Sequence, residues 1–364
     1  MRVALVLYGD LDFISGGFLY DRLLVNYLRH QGDEVQIVSL PWPSYARGLM
    51  DNISPALGRR FLGLNVDVIL QDELAHPSLF RLNRRLQGRG HPPVVTIVHH
   101  LRCSEARPAW QNHCYRLVER RYLASVNAFI FNSRTTRETV RKLVGREKPS
   151  VLAFPGADRF QIRPGREDLA MRAHEPGPLR VLFLGTVIPR KGLHTLLAAL
   201  ATLRPETWRL TVVGSLEADR AYVRRIRGQI AAAGLSSQVA FTGPLDEADL
   251  AARLAASHVL AVPSSYEGFG IVYLEGMAFG LPALATTAGG AVEIITSGQN
   301  GFLAPPGDAA ALAAHLMALA ADRDLLLSMS LAAQARFAAH PTWNDAGVAV
   351  RRFLQSLIPA SRGA

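Results

Sequence analysis

The chain has 364 residues, more than one ordinary hydrophobic core holds, and this length suits two domains of about 150 to 180 residues. Its 49% hydrophobic and 19% charged residues, with 30 glycines and 21 prolines spread along the chain, exclude disorder, collagen and coiled coil. The 40 basic residues against 30 acidic ones give a net charge of +10, which predicts an anionic partner such as a phosphate, a nucleic acid or an acidic membrane.

The first half alternates short apolar runs with amphipathic stretches of helical length. The runs are rich in Val, Ile and Leu and cover residues 2–8, 34–40, 66–70, 93–98, 128–132 and 151–154. The stretches between them include residues 18–29, 110–124 and 133–144. Continuous apolar strands alternating with helices are typical of a doubly wound parallel sheet. We therefore predict an α/β domain over residues 1–165.

The alternation is then interrupted and restarts. Periodicity is lost around residues 158–179, a stretch rich in Pro and Gly, so we predict a linker at 166–179. Strand-like runs follow from Arg180, Arg209, Gln238, His258, Pro282 and Phe302. They predict a second α/β domain over 180–340, and residues 341–364 are expected to form a helix that packs back on the first domain.

The first candidate site is the loop FLGTVIPRKG, residues 183–192. Arg190 and Lys191 stand at the carboxyl end of a predicted strand and directly before a helix that Gly192 opens. Cations beside a helix N-terminus form an anion site suited to phosphate. Lys191 is one of three lysines in the chain. The alternative is a solvated charge pair on a surface loop.

The loop YGDLDFISGGF, residues 8–18, joins the first strand to the first helix through Gly16 and Gly17. Paired glycines allow a close backbone approach to a ligand, or they simply begin the helix. The loop lacks the G-x-G-x-x-G fingerprint, which disfavours a nicotinamide oxidoreductase. Asp10 and Asp12 form a D-x-D pattern, but Asp322 and Asp324 repeat it in the helical tail, so no metal site is predicted.

The most specific segment is SSYEGFGIVYLEGMAFGLPALATTAGG, residues 264–290. Glu267 lies in a loop after a strand, and Glu275 lies inside the helix that begins near Gly270. Two carboxylates, a Gly-Phe-Gly turn and a helix N-terminus offer acceptors for hydroxyls and donors for phosphate. Because the flanking sequence is apolar, a purely solvated role for these acids is disfavoured.

This stretch resembles the nucleotide-sugar donor site of the retaining GT-B glycosyltransferases of family 4. The resemblance covers nearly the whole chain through SGG, TIVHH, NSRTTRETV, GTVIPRKG, VVG, FTGPL, PSSYEGFGIVYLE and TAGGAVEII, and it is most specific in the second half. It implies a GT-B architecture, in which two Rossmann-like α/β domains, for the acceptor and for the donor, face an interdomain cleft. It also implies that the protein is a hexosyltransferase.

The resemblance assigns roles to particular residues. Glu275 would hold the ribose hydroxyls, and Glu267 would hold donor sugar hydroxyls with the backbone of Gly268, Phe269 and Gly270, beside Ile271. Arg190, Lys191, Gly16 and Gly17 would hold the pyrophosphate. The nucleotide pocket would be lined by Gly214, Thr242, Pro244, Leu245 and Pro263. Many relatives carry Arg where this chain has Thr186, so Arg190 and Lys191 carry the leaving-group charge alone, or another arginine substitutes.

His99 and His100 end the strand at residues 93–98. Family members usually have His followed by Asp here, so the implied role, proximity to the transferred sugar and the acceptor, passes to His99 alone. The alternative is two histidines bonded to backbone. A zinc site with Cys103, His113 and Cys114 lacks a recognised spacing. The resemblance further implies retention of anomeric configuration, and we expect no metal and no cofactor besides the donor, with a UDP-sugar favoured over a GDP- or ADP-sugar.

The charge excess predicts where the acceptor binds. Residues 1–175 carry a net +8 and residues 176–364 a net +2. Segments 47–64 and 79–90 combine apolar residues with arginines, as helices on anionic lipid do, although ordinary solvated helices share this pattern. No export signal or spanning stretch is visible, so a cytoplasmic protein with peripheral contact at the inner membrane face is expected.

The acceptor is a glycan, a lipid or a small molecule, and the oligomeric state is not predicted. The competing functions are a GT-B epimerase or phosphorylase, and a non-catalytic partner subunit that binds a nucleotide-sugar. A nucleic-acid partner ranks last because no binding motif accompanies the charge.

Overall fold

The computed structural model describes residues 1–13, 15–42, 44–88, 91–160 and 163–358. The chain divides into two compact units, residues 1–156 with 341–364, and residues 157–340. Each unit is a parallel sheet with helices between its strands, as the alternation in the sequence predicts.

The sheet of the first unit has six parallel strands in the order β2-β1-β3-β4-β5-β6. The strands are β1 (Arg2–Tyr8), β2 (Glu34–Leu40), β3 (Val68–Asp72), β4 (Val94–Val98), β5 (Ala128–Phe131) and β6 (Ser150–Leu152). Successive residues of β1 enter different cores, with Val3 and Leu5 on one face and Ala4 and Val6 on the other. Burial on both faces explains why these strands read as continuous apolar runs.

Seven helices of the described residues belong to this unit. They are α1 (Gly16–His30), α2 (Tyr45–Asp51), α3 (Pro55–Leu62), α4 (His76–Arg85), α5 (Ala109–Ser125), α6 (Arg134–Val144) and α14 (Trp343–Leu357). Serines start four of them, because the side chains of Ser15, Ser44, Ser54 and Ser133 accept from backbone N–H groups of the first turn.

Helix α14 places the C-terminal segment in the first unit. Its residues Val350 and Leu354 are fully buried in the core that contains β1. Arg351 also donates to the carboxylate of Asp33 at 2.7 Å, and the same carboxylate accepts from the N-terminal ammonium at 2.9 Å. Apolar burial and this ion pair hold helix α14 and the N-terminal residue to the first sheet.

The second sheet has the order β12-β11-β10-β7-β8-β9, again all parallel. The strands are β7 (Leu179–Leu184), β8 (Trp208–Val213), β9 (Val239–Gly243), β10 (Val259–Ala261), β11 (Ala283–Thr286) and β12 (Gly301–Ala304). Numbered within the unit, this is 3-2-1-4-5-6, the order of dinucleotide-binding folds. The helices are α7 (Arg166–His174), α8 (Leu193–Leu200), α9 (Arg220–Ala232), α10 (Glu247–Ala256), α11 (Ile271–Ala278), α12 (Ala309–Ala321) and α13 (Arg323–Ala338).

The segment predicted as a linker, residues 166–179, instead forms helix α7 and enters β7. Leu169 is fully buried, and the Arg172 guanidinium donates to the carbonyls of Ala255 and Phe279 at 3.0 and 2.9 Å. These contacts fix α7 on the second unit. The prolines and glycines that suggested a linker lie just before and just after the helix. Proline and glycine are common at the ends of helices as well as in linkers, so they do not distinguish the two.

Candidate functional site

The candidate donor site lies at the switch point of the second sheet. Strands β7 and β10 pair in its middle, and the chain leaves them towards opposite edges, through β8 and β11. In such sheets the connections diverge at this point and leave a crevice outside the carboxyl ends of the two strands. The loop that follows β7 carries Arg190 and Lys191, and the loop that follows β10 carries Glu267. The structure therefore brings together the two segments that the sequence singles out.

Gly192 allows the two loops to meet. Residues Pro189–Lys191 form a short 3-10 turn that ends at Gly192 with a φ of +74°. A Cβ at this position would lie 2.0 Å from the carbonyl oxygen of Pro263. A side chain is excluded there by both the backbone conformation and the contact. The turn thus packs directly on the end of β10 and orients Lys191.

Lys191 forms a buried ion pair with Glu267. The Nζ of Lys191 lies 2.5 Å from Oε1 of Glu267, and the side chains are 14% and 9% exposed. The same oxygen accepts from the Ser264 hydroxyl at 2.6 Å, and Nη1 of Arg190 lies 3.6 Å from the other oxygen. Burial alone would raise the pKa of Glu267, but Lys191 and Arg190, with the Lys191 and Ser264 hydrogen bonds, lower it to about 2. Glu267 is therefore an ionised hydrogen-bond acceptor at neutral pH.

This ion pair predicts a pH-dependent contribution to stability. The folded pKa of Glu267 lies below its ordinary value of 4.5, so the carboxylate stabilises the fold above about pH 4.5 and loses this effect as the pH falls towards about 2. We expect the difference in free energy of unfolding between the wild type and Glu267→Gln to shrink across this window. Urea denaturation at several pH values measures it, and a difference independent of pH would contradict the assignment.

The backbone of Glu267 is held by the glycine pair 289–290. The N–H of Gly290 donates to the carbonyl of Glu267 at 2.8 Å. Gly289 has a φ of +89°, and a Cβ there would lie 1.9 Å from the same carbonyl oxygen. These glycines, part of the motif TAGGAVEII, position the loop that carries the acid.

Glu275 has a partner that sequence reasoning missed. The side chain lies on α11, and Glu275 is only 3% exposed. Nη2 of Arg159 lies 2.8 Å from Oε1 of Glu275, while the Nε of Arg159 is buried without a hydrogen-bond acceptor among the described residues. Burial raises the pKa of Glu275, and the Arg159 guanidinium opposes that rise. Arg159 is not part of any of the sequence motifs, and no pattern in the sequence relates it to α11.

The other residues predicted for the nucleotide pocket follow the carboxyl ends of the strands. Gly214 follows β8 with a φ of +141°, and a Cβ there would lie 2.1 Å from the carbonyl oxygen of Gly185. Gly270 precedes α11 with a φ of +96°. Thr242 and Gly243 are the last two residues of β9, and Pro244 and Leu245 follow this strand. Pro263 follows β10. Gly268 and Phe269 lie in the loop that carries Glu267, and Ile271 is the first residue of α11. All of these residues therefore lie along the carboxyl edge of the second sheet.

In the first unit, His99 follows β4 and lies against α1. Its Nε2 is 3.2 Å from Oδ1 of Asp21, and its carbonyl accepts from the Asn132 amide at 3.0 Å. Gly17 lies against the ring, because a Cβ there would be 3.1 Å from Cδ2 of His99. Burial lowers the pKa of His99, but the Asp21 carboxylate outweighs burial and leaves the pKa raised. Gly16 and Gly17 form the first turn of α1, as predicted.

His100 has a separate environment. Its Nε2 lies 3.0 Å from Oε1 of Glu105, which also pairs with Arg107 at 2.7 Å. The two adjacent histidines therefore have different carboxylate partners, Asp21 for His99 and Glu105 for His100. The described residues contain two buried groups of acids and histidines that are close enough to share a ligand: Asp21 with Asp72 and His99, and Glu73 with His76 and Glu119. Asp10 and Asp12 of the D-x-D pattern belong to neither group.

Two family models match consecutive parts of the chain. The model described as Glycosyl transferases group 1 matches residues 166–336, and the model described as Glycosyltransferase Family 4 matches residues 20–158. The first covers Lys191, Glu267 and Glu275, and the second covers His99. The order and the extent of the matches follow the two units of the structure.

Individual relatives agree with these models. A D-inositol 3-phosphate glycosyltransferase of Pseudarthrobacter chlorophenolicus is 32% identical over 57% of this chain and 52% of its own length. A GDP-mannose-dependent alpha-(1-6)-phosphatidylinositol monomannoside mannosyltransferase of Mycobacterium tuberculosis is 28% identical over 66% of this chain and 64% of its own length. The chain thus spans about half to two thirds of the length of these curated relatives.

A solved structure shares the fold. Sucrose-phosphate synthase from Thermosynechococcus elongatus matches with a TM-score of 0.83 and 23% identity, over 98% of each chain. The pair of parallel, Rossmann-like sheets is therefore of the GT-B type, which confirms the predicted fold class.

Proposed function

Because this chain belongs to the group 1, family 4 glycosyltransferases, we propose that it transfers a hexose-type sugar from a nucleoside diphosphate sugar to a hydroxyl acceptor. The ion pair of Lys191 with Glu267 at the switch point of the second sheet is the observation that carries this proposal. It offers a cation for a phosphate and a carboxylate for sugar hydroxyls within one crevice, where ligands of such sheets bind.

The charges of this site suit the bond that breaks. When the bond between the anomeric carbon and the phosphate oxygen breaks, its electron pair passes to the diphosphate, which becomes more negative. Lys191 and Arg190 are fixed by Glu267, so they are oriented before the charge develops. Fixed cations in a buried site stabilise such charge more than mobile ones in water. No step of this proposal requires a metal ion.

We propose that the acceptor attacks from the same face of the sugar as the leaving phosphate, so that the anomeric configuration is retained. The acceptor oxygen bonds to the anomeric carbon, and its proton passes to the phosphate oxygen that departs. The carboxylates of the site suit this route better than a covalent intermediate. Glu267 is held by Lys191 and Ser264, and Glu275 is held by Arg159, so both act as oriented acceptors of hydrogen bonds.

The donor base is tested by ligand stabilisation. The sequence favours a UDP-sugar, whereas the mycobacterial relative is named for GDP-mannose. A thermal unfolding screen with UDP-, GDP- and ADP-sugars should give a raised Tm with one class, because a ligand at about 100 times its Kd stabilises by about 2.7 kcal/mol. The same ligand should stabilise Lys191→Ala much less. A screen in which no nucleotide-sugar raises the Tm would overturn the proposal.

For the acceptor side, we propose an anionic lipid surface as the contact of residues 47–64. Of the two segments that suggested membrane contact, only this one exposes large apolar side chains: Met50, Ile53 and Leu62 are each more than half exposed. Arg47, Arg59 and Arg60 are exposed beside them. In the other segment, Leu79, Leu82 and Leu86 are buried in the core, and Arg89 and Gly90 lie outside the described residues. Among the described residues, no helix combines the length and hydropathy needed to cross a bilayer.

Vesicle flotation tests this contact. Binding to vesicles of phosphatidylglycerol and phosphatidylcholine should fall about tenfold or more in Arg59→Glu with Arg60→Glu, since each arginine near an anionic surface contributes about 1 kcal/mol. The control, Arg224→Glu with Arg253→Glu, makes the same charge change at exposed positions of the second unit. Equal loss in both variants, or no binding by the wild type at low salt, would contradict the proposal.

A further inference from the structure

Three buried polar side chains meet at the switch point of the first sheet. Strands β1 and β3 pair there, and the chain leaves β1 through α1 towards β2. Asp21 lies on the second turn of α1, Asp72 ends β3, and His99 follows β4. Asp21 and Asp72 are 0% exposed, and His99 is 7% exposed. The sequence singled out only the histidine.

The contacts of the two acids indicate that they interact with each other. One ligand atom from each of Asp21, Asp72 and His99 lies within 4.8 Å of the other two. Oδ1 of Asp21 contacts His99, and Oδ1 of Asp72 accepts from the N–H of Leu74 at 2.9 Å. The remaining Oδ2 atom of each acid is buried and has no donor in the described part of the chain.

No arginine or lysine of the described residues compensates the charge of these two acids. Among the described residues, neither acid forms an ion pair with an arginine or a lysine; the charged partner of Asp21 is His99. The other titratable groups that act on the cluster are Tyr20 on α1, Glu73 after β3 and Tyr122 on α5, all of them acids. Two ionised carboxylates in contact and away from water, with one histidine between them as their charged partner, are strongly disfavoured.

We propose that Asp21 and Asp72 share one proton and act as positioning residues for His99, a role that rests on the proposed glycosyl transfer. One carboxyl donates to the other through the shared proton, so the pair carries a single negative charge. Asp21 carries that charge, and its carboxylate accepts the hydrogen bond from Nε2–H of His99. Burial and Asp21 raise the pKa of Asp72 to about 7, in accord with a proton held at neutral pH.

The arrangement selects one tautomer of His99. With Nε2–H donated to Asp21, the neutral imidazole keeps Nδ1 as its acceptor nitrogen. Gly17 packs against the ring, and Tyr20 contacts it edge-on with a centroid distance of 5.5 Å. Both contacts limit rotation of the ring. His99 would therefore present Nδ1 to a hydroxyl in a fixed orientation, which is what a hydrogen bond to sugar or acceptor requires.

Histidine NMR tests the pair without any enzyme activity. In protein labelled with [15N]histidine, the His99 signals are assigned by their loss in His99→Gln. We expect Nε2 to be protonated in the neutral ring, and a pKa above the ordinary value that falls in Asp21→Asn. Asp72→Asn imitates the protonated acid, so it should keep the tautomer and remove a second titration near pH 7 that the wild-type signals show. A His99 pKa and tautomer unchanged in folded Asp21→Asn would overturn the proposal.

Kinetics and metal binding complete the test. Asp21→Asn should lower kcat on the order of 10- to 100-fold, the range of a lost acid–base or orienting contact, with nucleoside diphosphate affinity unchanged. Asp72→Asn should remove the pH dependence of kcat near pH 7. If Asp21→Asn does not fold, the NMR titration of the isosteric Asp72→Asn decides. Stabilisation of the wild type, but not of Asp72→Asn, by Zn²⁺ or Mn²⁺ alone would show that a cation occupies the pair and overturn the shared proton.

Discussion

Lys191→Ala is expected to lose on the order of 10²-fold or more in the rate of transfer, while the protein keeps its fold. The Nζ of Lys191 is the cation closest to Glu267, at 2.5 Å, and the turn that ends at Gly192 fixes its position. Arg190 lies farther from the carboxylate, at 3.6 Å, and also donates to the carbonyl of Tyr266. It therefore does not take the place of Lys191. Initial rates of nucleoside diphosphate release measure the loss.

A control separates catalysis from stability in this variant. Removing Lys191 alone leaves the buried Glu267 with weaker compensation, and breaking a buried pair costs about 3–5 kcal/mol. The double variant Lys191→Met with Glu267→Gln removes both charges and should recover much of the stability but none of the activity. Lys142→Ala, on an exposed side chain, should change neither. Full activity in folded Lys191→Ala would remove this residue from the mechanism.

Glu275→Ala is expected to have the second large effect and to nearly abolish transfer. The buried carboxylate is held by Arg159 through one oxygen, which leaves the other oxygen for ribose hydroxyls. A carboxylate that accepts hydrogen bonds from hydroxyls contributes more than a neutral acceptor, about 1.5–3 kcal/mol for each bond. Loss of the acid also leaves the Arg159 guanidinium without its anion. Titration with nucleoside diphosphates and steady-state kinetics measure both effects.

Arg159→Met distinguishes recognition from packing at this position. It keeps an apolar side chain at this position but removes the guanidinium that pairs with Glu275 and lies over the Phe160 ring. We expect weaker nucleotide binding that improves at higher pH, because burial without Arg159 raises the pKa of Glu275 further and ionisation restores the acceptor. Nucleotide affinity in Glu275→Ala equal to that of the wild type would contradict the ribose role.

The sequence predicts strands and their carboxyl-end loops well, for a physical reason. Parallel strands buried on both faces read as apolar runs, so Arg2–Tyr8 and Glu34–Leu40 were predicted to the residue. The helix predicted within residues 341–364 is likewise observed, at Trp343–Leu357. Because functional loops follow such strands, Lys191 and Glu267 could be identified before their contact was known.

The sequence did not predict the contacts between segments that are distant along the chain. Arg159 lies in an irregular segment, and nothing local relates it to Glu275 on α11. Asp21 looks like one more polar residue of an amphipathic helix, yet it is fully buried. The sequence of helix α7 resembles a linker because its apolar face consists of only two buried apolar residues, Leu169 and Ala173, between segments rich in proline and glycine. In each case the tertiary partner, rather than the local pattern, decides the role.

The most direct test of glycosyl transfer at this site is the NMR spectrum of the product formed from the nucleotide-sugar that stabilises the protein. The account predicts that nucleoside diphosphate appears in equal amount with a new glycoside, whose anomeric configuration is that of the donor. An inverted glycoside would contradict retention. An epimerised donor, or a sugar phosphate without a glycoside, would contradict transfer itself.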